Sequence, residues 1–253
     1  METIELKRSA DLARLILRRA PLNYMNRELL ESFQAAIESL GDSPPCRALI
    51  VESEAKAFSA GLDIQEQGRE SAFLLIEQFH ALARSLMTFP RPTLAIVRGM
   101  ALGAGNELAA CCDFIFASEA ATFGQPEVKF GSIPSLAPLL LPPLIGSRQT
   151  LELILTGDFI PAKDAQRMGL AYAVAPDEQL WDSVEALLNK LRKLSVTVSQ
   201  LALESARASR VRALEEHLRE SESLYLNRLA DLEDYSEGAK AFLEKRTPKW
   251  QNR

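Results

Sequence analysis

The stretch from Ala95 to Asp113, AIVRGMALGAGNELAACCD, constrains the fold more than any other. An apolar run, Leu94-Ala95-Ile96-Val97, ends at Arg98-Gly99, and Gly103 and Gly105 then open an alanine-rich stretch that carries Glu107. An apolar run, glycines and a helical pattern in that order predict a strand, a tight turn and a helix start. Small residues let backbone pass close to a ligand, and the unpaired N–H groups of a helix start can hold negative charge. A dinucleotide fingerprint does not fit, because Leu108 stands where its last glycine belongs, and no Gly-Lys-Ser/Thr phosphate loop is present. Two readings stay open on this stretch alone. One is a neutral anion pocket beside a carboxylate; the other is a packing turn whose glycines serve only strand–helix contact.

Composition narrows the classes. The chain has 253 residues, 47% of them hydrophobic, enough for one large domain or a domain with an appendage. Net charge is −5 and the basic residues are dispersed, so no nucleic-acid-binding stripe stands out. Cys46, Cys111 and Cys112 make an odd count with an adjacent pair, which reads as small buried residues in a reducing, cytoplasmic setting. No Cys-x-x-Cys or His-rich cluster suggests a metal. The two histidines, His80 and His217, fall in helical patterns and are expected on solvated helix faces, which leaves a histidine-dependent hydrolase without its base. Glu2, Glu5 and Asp11 fit neither a secretory signal nor an acid-poor transit peptide. The longest apolar run, residues 133–145, contains Pro134, Pro138, Pro142 and Pro143, so no membrane span is expected.

In chain order, residues 2–8 and 11–18 predict a hairpin. Asn26 is a candidate cap for a helix to Leu40, with Leu29, Leu30, Phe33, Ile37 and Leu40 as its buried stripe. A strand over 47–51, a small-residue loop over 57–68 and a helix over 71–89 precede the strand at Leu94, and another strand spans 113–117. Strands alternating with helices predict a parallel sheet. Residues 122–131 read as a turn-rich loop carrying a second carboxylate, Glu127. Short helices near 136–141 and 147–155, a helix ending at Gly169 and a brief strand over 172–174 follow. From Asp177 the pattern is helical to Lys245, and the leucine-containing tail over 201–246 needs the core or a neighbouring subunit to cover it.

Three segments, AFSAGLD at 57–63, GMALGAGNELAACCD at 99–113 and TFGQPEVKFGSIP at 122–134, resemble the crotonase, or enoyl-CoA hydratase/isomerase, superfamily. RAPLN at 19–23, LTGDFIPAKDAQRMGL at 155–170 and AFLEKR at 241–246 extend the likeness over nearly the whole chain. The resemblance implies an α/β fold: a spiral of β-β-α repeats over residues 1–195 that carries an acyl-CoA site. It also implies a C-terminal helical region over 196–253 for oligomerisation, as a homotrimer or a dimer of trimers, and for closing the CoA pocket. The implied substrate is a coenzyme A thioester. The residues themselves, with no metal or nicotinamide signal, no basic stripe and no membrane span, lead us to expect no separate cofactor and no metal, nucleic-acid or membrane partner.

The resemblance also implies roles. The backbone N–H groups of Leu62 and Ala104 form an oxyanion hole. Glu107 activates water and Glu127 delivers a proton, as a hydratase requires; a one-glutamate isomerase and a catalytically silent acyl-CoA binder stand as alternatives. Arg18, Arg19, Lys56, Ala60, Asp63, Ile64, Phe242 and Lys245 are the expected CoA contacts, the last two at the nucleotide end, often that of a neighbouring subunit. After Glu127 the chain departs from the short-chain hydratases: GSIPSLAPLLLPPLIG at 131–146 replaces Gly-Thr-Ile-Pro and a glycine-rich stretch. Ile133, Pro134, Leu136 and Pro138 are therefore expected to line and stiffen the acyl pocket. That version looks more like hydratases of cyclic dienoyl-CoA esters, such as cyclohexa-1,5-diene-1-carbonyl-CoA.

Overall fold

The computed structural model describes residues 3–42, 44, 46–66 and 69–253. Glu2 of the expected hairpin, and Gln67 and Gly68 at the end of the small-residue loop, lie outside the described residues. β1 (Ile4–Arg8) and β2 (Leu12–Leu17) pair antiparallel, with Leu6 opposite Leu15. The Asn26 side chain accepts from the Leu29 N–H at 3.1 Å and so starts α1 (Arg27–Glu38), whose Leu29, Leu30, Phe33 and Ile37 are buried. β3 (Ala48–Ser53), α2 (Arg69–Thr88) and β4 (Thr93–Val97) follow. β5 (Met100–Leu102) then inserts a strand where a plain turn was expected, ahead of α3 (Ala104–Cys111). β6 (Phe114–Ser118) and β7 (Thr122–Gly124) come next, the latter inside the expected loop. Strands of three residues are too short to display a period of two, which is why sequence pattern passes over them.

The proline-rich run does not form one helix. It breaks into α4 (Ala137–Leu140) and α5 (Pro142–Ile145), with proline in the first turn of each, where its missing N–H leaves no hydrogen bond unmade. The remaining elements are α6 (Ser147–Thr156), β8 (Phe159–Pro161), α7 (Ala162–Met168), β9 (Ala173–Ala175), α8 (Asp177–Leu191), α9 (Val196–Asn227) and α10 (Glu233–Leu243).

Two sheets result. The larger has the order β1-β2-β3-β4-β6-β9, parallel from β2 onward, and the smaller has the order β5-β7-β8. The chain climbs as a spiral: a strand in the large sheet, a strand in the small sheet, then a helix, as in β4-β5-α3. After β3, the single residue Ser59, bridged to Ala101, takes the place of the small-sheet strand. Both faces of the large sheet are buried. Leu49, Val51, Ala95 and Val97 point into the main core, whereas Ala48, Ile50, Leu94 and Ile96 point into a second layer sealed by Leu180, Val184 and Leu188 of α8. Leu214 and Leu218 of α9 join the main core, so part of the helical tail is covered by its own chain. Cys46, Cys111 and Cys112 are free and buried. Among the described residues, no helix is long and apolar enough to cross a membrane.

Candidate active site

The site is built where the two sheets meet α3. The Leu102 N–H donates to the Ser59 carbonyl and the Gly103 N–H to the Gly124 carbonyl, each at 2.9 Å, so the turn after β5 is pinned on both sides. Gly103 has φ +55°, and a Cβ there would lie 2.8 Å from Glu127 Oε1. Only glycine makes this turn and leaves room for the carboxyl group. Gly103 gives α3 no side-chain cap, so the Ala104 N–H opens the helix without an intrahelical partner.

The facing loop supplies a second such group. The bridge between Met25 and Leu62 runs through the Gly61 carbonyl and the Asp63 N–H, which leaves the Leu62 N–H outside the ladder. Gly61 brings the loops together: with φ +102°, a Cβ on it would stand 3.6 Å from the Ala104 nitrogen. Leu62, Ala104, Glu107, Glu127 and Ile133 all border one cavity of about 130 Å³.

The two carboxyl groups sit in different surroundings. Glu107, on α3, is 1% exposed, and its Oε1 accepts from the Leu136 and Ala137 N–H groups, both at 2.7 Å. Burial pushes its pKa up to about 7, against the pull of those donors. Glu127 stands on a 3₁₀ turn, Pro126–Phe130, and its Oε2 is shut off from solvent without a hydrogen-bond partner among the described residues. Burial first, and the charge of Glu107 second, hold Glu127 well above the ordinary carboxyl range. The donors that favour an anion serve Glu107 and none serves the Glu127 Oε2. Of the two, Glu107 has the surroundings that favour the anion, and Glu127 those that favour the protonated form.

A second hollow opens beside the first, sharing Tyr24, Ile64 and Phe242 with it and adding Arg19, Asp63 and Gln65. Arg19 Nη2 lies 2.7 Å from Asp63 Oδ2, and its Nη1 donates to the Tyr24 carbonyl at 2.8 Å. Ala60 borders the first cavity. The other expected basic groups are elsewhere. Arg18 is paired with Glu5 at 2.7 Å and Glu54 at 2.8 Å, Lys56 and Lys245 are exposed, and none of the three borders either hollow.

The proline-rich segment needs a similar correction. Of its four expected lining residues only Ile133 borders the cavity. Pro138 is exposed in the first turn of α4, and Leu136 turns its side chain into the core while its N–H holds Glu107. Pro134 is buried outside the lining. Tyr24, Phe130, Ser132 and Tyr225 border the cavity without having been singled out from sequence. Tyr24 directly follows RAPLN and could have been found there; Tyr225 could not, because it arrives on the distant α9. Neither histidine is on a solvated face. His80 of α2 is 1% exposed with Nδ1 at 2.8 Å from Glu222, and His217 of α9 is half-buried, because these two helices pack together.

Comparison with known proteins now bears on this geometry. The family profile described as enoyl-CoA hydratase/isomerase matches residues 7–253. The chain belongs to the enoyl-CoA hydratase/isomerase family. It is 35% identical over 255 residues to the probable enoyl-CoA hydratase echA8 of Mycobacterium tuberculosis, covering 100% of this chain and 99% of that one. It is 32% identical over 248 residues to the cyclohexa-1,5-dienecarbonyl-CoA hydratase of Thauera aromatica, covering 98% of this chain and 96% of that one. Among solved structures, an enoyl-CoA hydratase from Mycobacterium avium subsp. paratuberculosis superposes with a TM-score of 0.88 at 25% identity, covering 98% of both chains. The spiral of β-β-α turns with its helical tail is thus the fold of this hydratase/isomerase family.

Proposed function

We propose that this chain adds water across the double bond of a 2-enoyl- or cyclic dienoyl-coenzyme A thioester. The observation that carries the reading is a pair of carboxyl groups, Glu107 and Glu127, bordering one cavity with the Leu62 and Ala104 residues whose N–H groups lack ladder partners. Glu107, ionised, takes a proton from a water molecule as its oxygen bonds to C3. Negative charge then moves onto the thioester oxygen, where the Leu62 and Ala104 N–H groups stabilise the enolate. Loss of one such donor typically lowers the rate about 100- to 1000-fold. Glu127, protonated, delivers its proton to C2, and a proton passing from Glu107 to Glu127 restores the pair. Coenzyme A enters as part of the substrate, with its thioester at the first cavity and its pantetheine and nucleotide running past Tyr24 and Ile64 toward Arg19 and Phe242.

Two features are compatible with a ring substrate. The cavity, about 130 Å³, is near the roughly 150 Å³ at which an engineered apolar cavity takes up benzene. The relative at 32% identity is named for a cyclic dienoyl-CoA. The test is a paired absorbance and mass assay on crotonyl-CoA and a cyclic 1,5-dienoyl-CoA. Loss of conjugated absorbance with a gain of one water on the ring substrate is the expected result. Water gain on crotonyl-CoA alone removes the ring preference, and no water gain on either removes the hydratase reading.

A further inference from the structure

Helix α9 reaches the site from behind, through two side chains that no role above uses. The Tyr225 hydroxyl donates to the Ile133 carbonyl and stands 3.2 Å from Ser132 Oγ. His217 Nε2 lies 2.8 Å from the Ser135 carbonyl; a carbonyl only accepts, so Nε2 carries the hydrogen. The two residues lie about two turns apart on one face of α9. On its other side the same short segment touches both glutamates. The Leu136 and Ala137 N–H groups donate to Glu107, and the Ser132 N–H donates to the Glu127 carbonyl at 3.0 Å.

Residues 132–136 have no regular structure of their own. The Leu136 carbonyl is tied to α4 by the Leu139 and Leu140 N–H groups, whereas the Ile133 and Ser135 carbonyls, the latter sharing a peptide unit with the Leu136 N–H, are held from outside by α9. The helix doing the holding is itself fixed. Arg84 Nε meets Glu215 at 2.5 Å and His80 Nδ1 lies 2.8 Å from Glu222, so an ion pair and a hydrogen bond from α2 bracket His217 on α9.

We propose that His217 and Tyr225 are positioning residues. By fixing the Ser135 and Ile133 carbonyls, they keep the Leu136 and Ala137 N–H groups aimed at the Glu107 carboxylate. The catalytic consequence rests on the two-glutamate reading above; the geometric one does not. Without the clamp the amides drift, the anion at Glu107 loses donors, and its carboxyl takes up a proton at higher pH. The titratable groups facing Glu107 are Glu127 from the 3₁₀ turn, Tyr225 from α9 and Cys111 from its own helix, with Arg210 of α9 beside Cys111. None of them is altered by replacing His217.

The experiment follows the Glu107 carboxyl by carbon-13 NMR in the full chain labelled at glutamate, assigned by the signal missing from Glu107→Gln. His217→Leu is expected to raise the midpoint by about one pH unit. His217→Gln, which keeps an N–H donor, should return it to the wild-type position, and Tyr225→Phe should raise it as His217→Leu does. In parallel, kcat below neutral pH should fall about tenfold in His217→Leu with KM held, following the lost ionised fraction. A folded His217→Leu with the wild-type midpoint, or an equal shift in the leucine and glutamine variants, overturns the proposal. Should His217→Leu not fold, an unmoved midpoint in Tyr225→Phe overturns it. The titration needs no substrate. Absence of water addition by the wild type would therefore refute the hydratase reading without touching the midpoint result.

Discussion

Replacing Glu107 by glutamine should stabilise the protein while disabling it, and the gain should depend on pH. In the folded chain the Glu107 carboxyl is held at about 7, against an ordinary 4.5, with burial as the main cause. The folded state therefore binds this proton more tightly than the unfolded state. Stability referred to this group is full below the ordinary value and is lost as pH rises through the window between the two, levelling off above about 7. A tenfold difference in proton affinity between folded and unfolded chain is worth about 1.4 kcal/mol. The group therefore destabilises the fold by about 3 kcal/mol near pH 8 and by less than about 1 kcal/mol near pH 5. Glu127, whose carboxyl burial also raises, steepens the same slope in wild type and variant alike, and that part cancels in the comparison between them. Glutamine keeps an oxygen for the Leu136 and Ala137 N–H groups and cannot ionise. Urea unfolding at fixed protein concentration should thus find Glu107→Gln more stable than wild type by about 2–3 kcal/mol near pH 8 and within about 1 kcal/mol near pH 5. A difference between the two proteins that is the same at both pH values would refute the buried-anion argument.

Three other substitutions probe separate parts of the site. Glu127→Gln removes the acid, and kcat should fall about 100- to 10,000-fold in a steady-state hydration assay. Gly103→Ala places a methyl 2.8 Å from Glu127 Oε1 at φ +55°; urea unfolding should show a loss of about 1–3 kcal/mol, with kcat falling more than KM rises. Arg19→Ala removes a cation from the second hollow while leaving both glutamates in place. KM for the thioester should rise severalfold with kcat nearly unchanged, as loss of uniform binding requires.

What the sequence made legible was local. The Asn26 cap and the stripe of α1 follow from spacing alone, and the helix start carrying Glu107 follows from glycines after an apolar run. The family motifs carried the rest of the site: they placed Leu62, Ala104, Glu107 and Glu127 around what is one cavity in the fold. What escaped depends on distant packing. β5, β7 and β8 are three residues each, and only their pairing into a second sheet makes them strands. His80 and His217 read as solvated because a helical pattern does not say which other helix will cover a face; α2 and α9 cover each other. Pro138 read as a pocket wall because it is apolar and near Glu127 in sequence, yet its place in the first turn of α4 points it outward. Arg18, Lys56 and Lys245 lie beside the motif loops in sequence, but a side chain's direction is set by its own backbone and its ion pairs, as Arg18 shows with Glu5 and Glu54.

Water addition by two carboxyl groups in one cavity has a stereochemical signature. Both groups border one cavity, and in the proposed mechanism they deliver hydroxyl and hydrogen to one face of the double bond. The measurement is hydration in D2O, with the configuration at C2 and C3 of the product read by NMR coupling constants. Syn addition, with a single deuterium at C2 that is lost in Glu127→Gln along with activity, is the predicted result. Anti addition, or deuterium exchange at C2 with no hydroxyl at C3, would contradict the assignment of Glu107 to water and Glu127 to the proton.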